Sequence, residues 1–390
     1  MNCIFISPHF PHQYHRFCLQ LKQAGAHALG IGDAPYETLP PEVRAALTEY
    51  YRVEQMNDYG QLLRACGYFT HKYGKIDRID SLNEYWLGIE AKLRDDFNVF
   101  GLREGNIGMI RRKSEMKQKF REAKIPVAAG RVVHNLQEAR TLIQETGYPV
   151  VAKPNEGVGA LDTFRLDADE DLERFFAAKP PVDYIFEAFV KGTIISFDGL
   201  CDLQGTPVFW TSHVFSQGIM ETVNEARHIA YHSLRDIPPA LESAGRRCLQ
   251  AFNVRERFFH IEFFQTGPES YTALEVNMRP PGGFTTDMFN YACDVDIYRI
   301  WAELIVHGKG PVHFDRKFHC CYASRKNCLP YVHTHEEILD RYSTDLCQVD
   351  RVPGVFSSAL GDMGYIFRTR EYDRLSDIVA FIHQTHSVED

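Results

Sequence analysis

Phe258-Phe259-His260-Ile261-Glu262-Phe263-Phe264 is joined through Gln265 to Ser270 to a second arm, Tyr271-Thr272-Ala273-Leu274-Glu275-Val276-Asn277-Met278. Both arms alternate, as half-buried strands do. Phe259, Ile261 and Phe263 share one face of the first arm, and His260 and Glu262 the other. In the second arm Leu274, Val276 and Met278 alternate with Ala273, Glu275 and Asn277. Gly267-Pro268 marks a turn between them. A symmetric hairpin centred there sets Glu262 opposite Glu275 and His260 opposite Asn277.

Directly opposed residues lie about 4.5–5.5 Å apart at Cβ, so the two carboxylates repel. One can be protonated, a basic side chain can intrude, or a divalent cation can bridge them. With the amide oxygen of Asn277 the set is all oxygen, which suits Mg²⁺ or Mn²⁺ better than Zn²⁺. The plainer alternative is the solvated face of a surface hairpin. Against it stands the adjoining stretch, Arg279-Pro280-Pro281-Gly282-Gly283. A cation and backbone amides held by a Pro pair and a Gly pair form an anion clamp.

Upstream lie groups suited to phosphate. Lys153 ends the apolar strand Tyr148 to Ala152 and precedes Asn155-Glu156-Gly157-Val158-Gly159, whose amides can close over phosphates. Lys113 precedes a helix, although Arg111, Arg112, Lys113, Lys117 and Lys119 also read as a solvated basic face. Glu187 ends the strand Tyr184-Ile185-Phe186 and leads into Ala188-Phe189-Val190-Lys191-Gly192. That apolar linker has the backbone edge an adenine base needs, and equally reads as an edge strand entering a turn.

The N-terminal segment runs strand (Cys3 to Ile6), helix (Tyr14 to Ala24), strand (Ala28 to Ile31), the order of a parallel open sheet. Its first loop, Ser7 to Pro11, leaves the carboxyl end of a strand, where such sheets bind ligands. Helical patterns continue through Leu62 and Trp86 to about Phe97. A second segment begins near Ile110, and Tyr184 is read as opening a strand-rich third. The tail after about Gly310 mixes short strands with a helix over Arg374 to His383.

Of the 390 residues, 44% are hydrophobic and 24% charged, the balance of a globular protein. Net charge is −9, which argues against a general nucleic-acid binder. No apolar run has the length of a membrane helix, and no signal peptide is read at the start. Ten cysteines without a C-x-x-C pair point to free thiols and a cytoplasmic setting.

In order, Lys113, Lys153, a glycine loop, Glu187-Ala188-Phe189-Val190-x-Gly, Glu262 and, 13 residues later, Glu275-x-Asn277-x-Arg279-Pro-Pro-Gly-Gly resemble the ATP-grasp superfamily, more narrowly its carboxylate–amine ligases. The resemblance implies an α/β fold with a Rossmann-like pre-ATP-grasp domain (residues 1–109), a small ATP-grasp lobe (110–183), a large lobe (184–310) and a C-terminal subdomain (311–390). It implies ATP and Mg²⁺ or Mn²⁺ as cofactors, small carboxylate and amine substrates, and a homodimer. Lys113 and Lys153 then hold ATP phosphates, with Gly157 and Gly159 in the loop above them. Glu187, Ala188 and Val190 meet the adenine edge. Glu262, Glu275 and Asn277 are metal ligands. Arg279 and Gly283 meet the reacting carboxylate or acyl phosphate. The ribose position, which often carries an acid in that family, holds Ile194 beside Thr193. The implied reaction is activation of a small acid, such as an amino acid, to an acyl phosphate that an amine displaces. Other readings are amine carboxylation, a purine-pathway ligase, and a nucleotide-binding regulator without turnover. His9, His12 and His15 read as structural or substrate-lining residues. Glu221 and His228 flank a candidate substrate loop, and Arg325 and Lys326 are late cations in reach of a substrate.

Overall fold

The computed structural model describes residues 1–157, 162–216, 218, 222, 227–310 and 313–386. Among the described residues the chain builds three sheets. The N-terminal one is parallel, its spatial order running Glu49–Arg52, His27–Gly32, Asn2–Ile6, Arg78–Asp80. The strand Arg78–Asp80 interrupts the helical pattern expected between Leu62 and Trp86. It is three residues long, too short for alternation to register, and pairing with Cys3 to Phe5 fixes it.

The second sheet is antiparallel, in the order Gly130–Val133, Tyr184–Ala188, Val150–Pro154, Phe164–Leu166. Tyr184–Ala188 therefore completes this sheet; it does not open the next unit. The cause is non-local: Val132 and Ala152 flank Ile185 and Phe186 from two different strands. The helix Asp169–Ala178, unassigned by the sequence pattern, buries Leu172 and Phe175 against the same sheet.

The third sheet has nine strands among the described residues, paired antiparallel throughout. The hairpin Phe258–Gly267 and Ser270–Asn277 forms one end, and Thr193–Cys201 pairs with the first of these arms along its length. The tail strands His319–Arg325, Met363–Thr369 and Leu346–Arg351 extend the same sheet through Ala230–Ser233.

One core ties the N-terminal segment to this large sheet. The helix His15–Gln23 carries Phe17, Cys18 and Leu21 on one stripe, all buried. The Phe17 ring meets Tyr298 at 4.7 Å and Trp301 at 5.2 Å, both on the helix Ile297–His307. Each fully buried side chain of this size contributes about 1.5–3 kcal/mol. All ten cysteines are free thiols. Among the described residues no helix is long and apolar enough to cross a membrane.

Candidate functional site

The hairpin register is the one expected, with Glu262 paired to Glu275 and His260 to Asn277. Past Glu262 the register shifts, so Phe263 pairs with Ala273 and Leu274 is skipped. Such a bulge turns one side chain to the opposite face. Ala273 accordingly joins the core with Val276 and Met278, and Leu274 lines the cleft. The face assigned to Leu274 from simple alternation is corrected by this extra residue.

The cleft is a cavity of about 390 Å³ between the second and third sheets. Lys113, Lys153 and Glu187 contribute from one side, Glu262 and Glu275 from the other, with Ala188 and Val190 along the linker. Thr193 and Ile194 also line it. Asn277 is buried on the same strand as Glu275. Gly159 and Glu221 lie outside the described residues.

On the small sheet Glu187 is an anion between two ammonium groups. Its Oε1 lies 3.0 Å from Lys117 Nζ and its Oε2 2.9 Å from Lys153 Nζ. Burial pushes the Glu187 carboxyl up, but Lys153 and Lys117 pull it below its ordinary value. Burial holds Lys117 below the usual lysine range against Glu187. Lys117 reads from sequence as part of a solvated basic face, yet it is buried and also donates to Ala128 O at 2.8 Å. Its position four residues after Lys113 on the helix Lys113–Glu122 is the available signal, because that spacing shares a helix face. Lys113 Nζ donates to Gly157 O at 3.4 Å, tying the helix start to the glycine loop. The Ala188 N–H is taken by Ala129 O at 2.8 Å, so an edge contact from Ala188 runs through its carbonyl.

On the large sheet, burial raises the Glu275 carboxyl, Lys113 lowers it, and Glu84 and Glu262 raise it further. The opposed pair Glu262 and Glu275 and, two residues further along the second arm, the buried amide of Asn277 are all-oxygen donors of the type a hard dication takes. Behind Glu262, His260 Nε2 is 3.5 Å from Glu262 Oε1 and Nδ1 is 2.5 Å from Asp198 Oδ1. His213 Nδ1 meets the other oxygen of Asp198 at 2.7 Å, and Ser196 Oγ donates to it at 2.5 Å. Burial would lift the Asp198 carboxyl, yet His260 and His213 hold it at about 2.

Arg279 and Gly283 lie outside the wall of the 390 Å³ cavity. Arg279 donates to Glu84 Oε2 from Nη2 at 2.5 Å and Nε at 3.1 Å, and to Pro280 O from Nη1 at 2.8 Å. Gly283 has φ +64°, and its carbonyl accepts from Gln13 Nε2 at 2.8 Å. The N-terminal segment thus supplies a residue, Glu84, that no local motif announces.

The remaining candidates scatter. His9 Nε2 faces Asp33 at 3.6 Å, the His12 ring is edge-on to Phe284, and His15 Nδ1 meets His12 O. His228 stacks on His383 at 3.8 Å. Arg325 donates to Ile382 O and His333 O, and Lys326 Nζ to Ser358 O at 2.8 Å.

Three sheets in this arrangement, with the cleft between the second and third, make the fold that of the ATP-grasp ligases. Individual solved structures match nearly end to end. The L-amino acid ligase from Bacillus licheniformis superposes with a TM-score of 0.75 at 14% identity, over 98% of this chain and 96% of that one. The N5-carboxyaminoimidazole synthetase from Staphylococcus aureus complexed with ADP gives 0.74 at 13% identity, over 97% and 96%. The phosphoribosylglycinamide synthetase from Anaerococcus prevotii gives 0.68 at 11% identity, over 98% and 97%. No protein-family model matches the chain.

Proposed function

We propose that this protein is an ATP-dependent ligase that activates a small carboxylate, an amino acid, as an acyl phosphate and joins it to an amine. The observation that carries this reading is the pairing of opposed walls on one cavity: Lys113 and Lys153 on one side, Glu262 and Glu275 on the other. The fold shared with the L-amino acid ligase supports it.

A carboxylate is a poor electrophile. Its oxygen attacks the γ-phosphorus of ATP, ADP leaves, and an acyl phosphate forms. The amine nitrogen then attacks the acyl carbon, phosphate departs, and the amine loses a proton. The first step brings anions together, so positive charge fixed in advance lowers its barrier. Lys113 and Lys153 hold phosphates; Ala188 and Val190 present backbone to the base beside Glu187. Gly157 leads into the glycine segment that would close over the phosphates. Glu262, Glu275 and Asn277 would hold Mg²⁺, which supplies charge neutralisation at phosphate oxygens. Arg279 and the Gly283 backbone receive the acid. The protein works in the cytoplasm as a homodimer.

The test is ADP release with pooled amino acids and amines, with and without Mg²⁺. Turnover is expected only when acid, amine and Mg²⁺ are all present. Glu275→Ala should lower it by about 100-fold or more, the usual loss for one preorganised charged group. Full activity in that variant, in folded protein, rejects the reading. Turnover dependent on bicarbonate would favour the second reading, amine carboxylation, which the likeness to N5-carboxyaminoimidazole synthetases supports.

A further inference from the structure

One ionic cluster, formed by Asp80, Glu90, Arg94 and Arg257, closes on itself. Arg94 Nη2 meets Glu90 at 2.7 Å and Asp80 at 2.9 Å, and Arg257 Nη2 lies 3.4 Å from Asp80 and 3.6 Å from Glu90. None of these residues lines the cleft. Another cluster ends on the cleft wall, and its centre is His260.

Sheet register places His260 in a grid. Asp198, His260 and Asn277 are directly paired across adjacent strands. Two residues along each strand, Ser196, Glu262 and Glu275 form the next row on the same face. His260 therefore neighbours Asn277 across the hairpin and Glu262 along its own strand. It is buried, and it stands outside the wall of the cavity that Glu262 lines.

The imidazole has an acid at each end. Nδ1 lies 2.5 Å from Asp198 Oδ1, and Nε2 lies 3.5 Å from Glu262 Oε1. Two flanking carboxylates favour the doubly protonated ring, which donates at both ends. Asp198 is a firm anchor, because its other oxygen takes His213 Nδ1 at 2.7 Å and the Ser196 hydroxyl at 2.5 Å. Glu262 is a long side chain set against the like charge of Glu275. Left to itself it would turn away, and would lose rotamer freedom on being drawn back.

We propose that His260 is a positioning residue for the dication site: anchored on Asp198, it holds the Glu262 carboxylate beside Glu275 against their mutual repulsion. The inference rests on the reading of Glu262, Glu275 and Asn277 as metal ligands and deepens it. A ring that merely neutralised Glu262 would compete with a dication. The two roles give opposite signs when the ring is removed.

Mn²⁺ binding to the full chain is titrated by electron paramagnetic resonance with ADP present, at one pH. His260→Phe keeps the bulk of the ring and removes both N–H groups, and His260→Gln keeps a donor. The dissociation constant for Mn²⁺ should rise by roughly 10- to 100-fold in His260→Phe, the usual loss for a partner behind a metal ligand. His260→Gln, a poorer match in shape, should recover part of that loss, which packing alone would not do. Asp198→Asn keeps the imidazole but loosens its anchor, and should weaken Mn²⁺ by about 10-fold; it decides the matter if His260→Phe does not fold. Unchanged or tighter Mn²⁺ binding in the variants overturns the assignment while keeping the metal site. Direct coupling of an imidazole nitrogen to the bound Mn²⁺ also overturns it, since His260 would then be a ligand. Wild-type protein that takes no Mn²⁺ with ADP removes the metal site itself, and the role of His260 with it.

Discussion

Replacing Glu187 with glutamine tests whether the buried lysines are held ready for phosphate. The carboxylate lies 3.0 Å from Lys117 Nζ and 2.9 Å from Lys153 Nζ, with every side chain at most 10% exposed. At an effective dielectric near 20 each contact is worth about 5 kcal/mol of gross attraction, most of it offset by desolvation. Removing the anion leaves two buried ammonium groups facing a neutral amide. Breaking a buried pair in this way costs about 3–5 kcal/mol. The lower end applies, because burial already holds Lys117 below the usual range and it sheds its proton readily. At about 2 °C per kcal/mol for a chain of this size, the melting temperature of the free protein should fall by about 6 °C. Nucleotide phosphates would then take the place of the missing anion, so a non-hydrolysable ATP analogue with Mg²⁺ should raise the melting temperature more in the variant than in wild type. Thermal melts with and without the analogue measure both quantities. A fall in stability with an unchanged or smaller nucleotide shift would refute the reasoning, since the lysines would then serve structure alone or Glu187 itself would hold the base.

Two further outcomes concern stability away from the nucleotide. Asp198 is fully buried, and its carboxyl is held at about 2 against an ordinary 3.8. A depressed acid contributes stability that is present above its unfolded value and lost as pH falls through its folded value, here about 2 kcal/mol. Asp198→Asn lacks that contribution, so the stability gap to wild type should narrow by this amount between about pH 5 and pH 2 in urea unfolding; a constant gap would contradict it. Gly245 lies in the helix Pro239–Ala251, where an added Cβ would sit 2.2 Å from Phe197 Cδ1. Gly245→Ala gains about 1 kcal/mol of helix propensity but overpacks the core at about 1–3 kcal/mol, so the melting temperature should drop; a rise would show that Phe197 yields.

The legible parts of the molecule are those encoded by local pattern. Alternation around a single turn signal is enough to set Glu262 against Glu275, since a one-residue slip would put Phe263 in water. The bulge at Leu274 breaks that pattern in one arm only, and no residue type there announces it. Lys117 is ambiguous because a helix with cations on several faces does not say which face is covered. The Asp198 contacts and the Glu84–Arg279 pair come from strands and segments far apart in sequence, brought together by sheet order. Tyr184–Ala188 shows the same limit: its strand character is plain, but its neighbours are chosen by tertiary pairing. Lys113, Lys153, Glu187, Glu262 and Glu275 are far apart in sequence, and their grouping around one cleft comes only from three dimensions.

The buried cluster of Asp80, Glu90, Arg94 and Arg257 has an evolutionary corollary. Each member balances two others, so loss of one charge is costly unless a second changes with it. Drift at these four positions is therefore confined to compensated exchanges, and the chain's ancestry should be written there as covariation between an N-terminal segment and the residue entering a strand about 170 residues downstream.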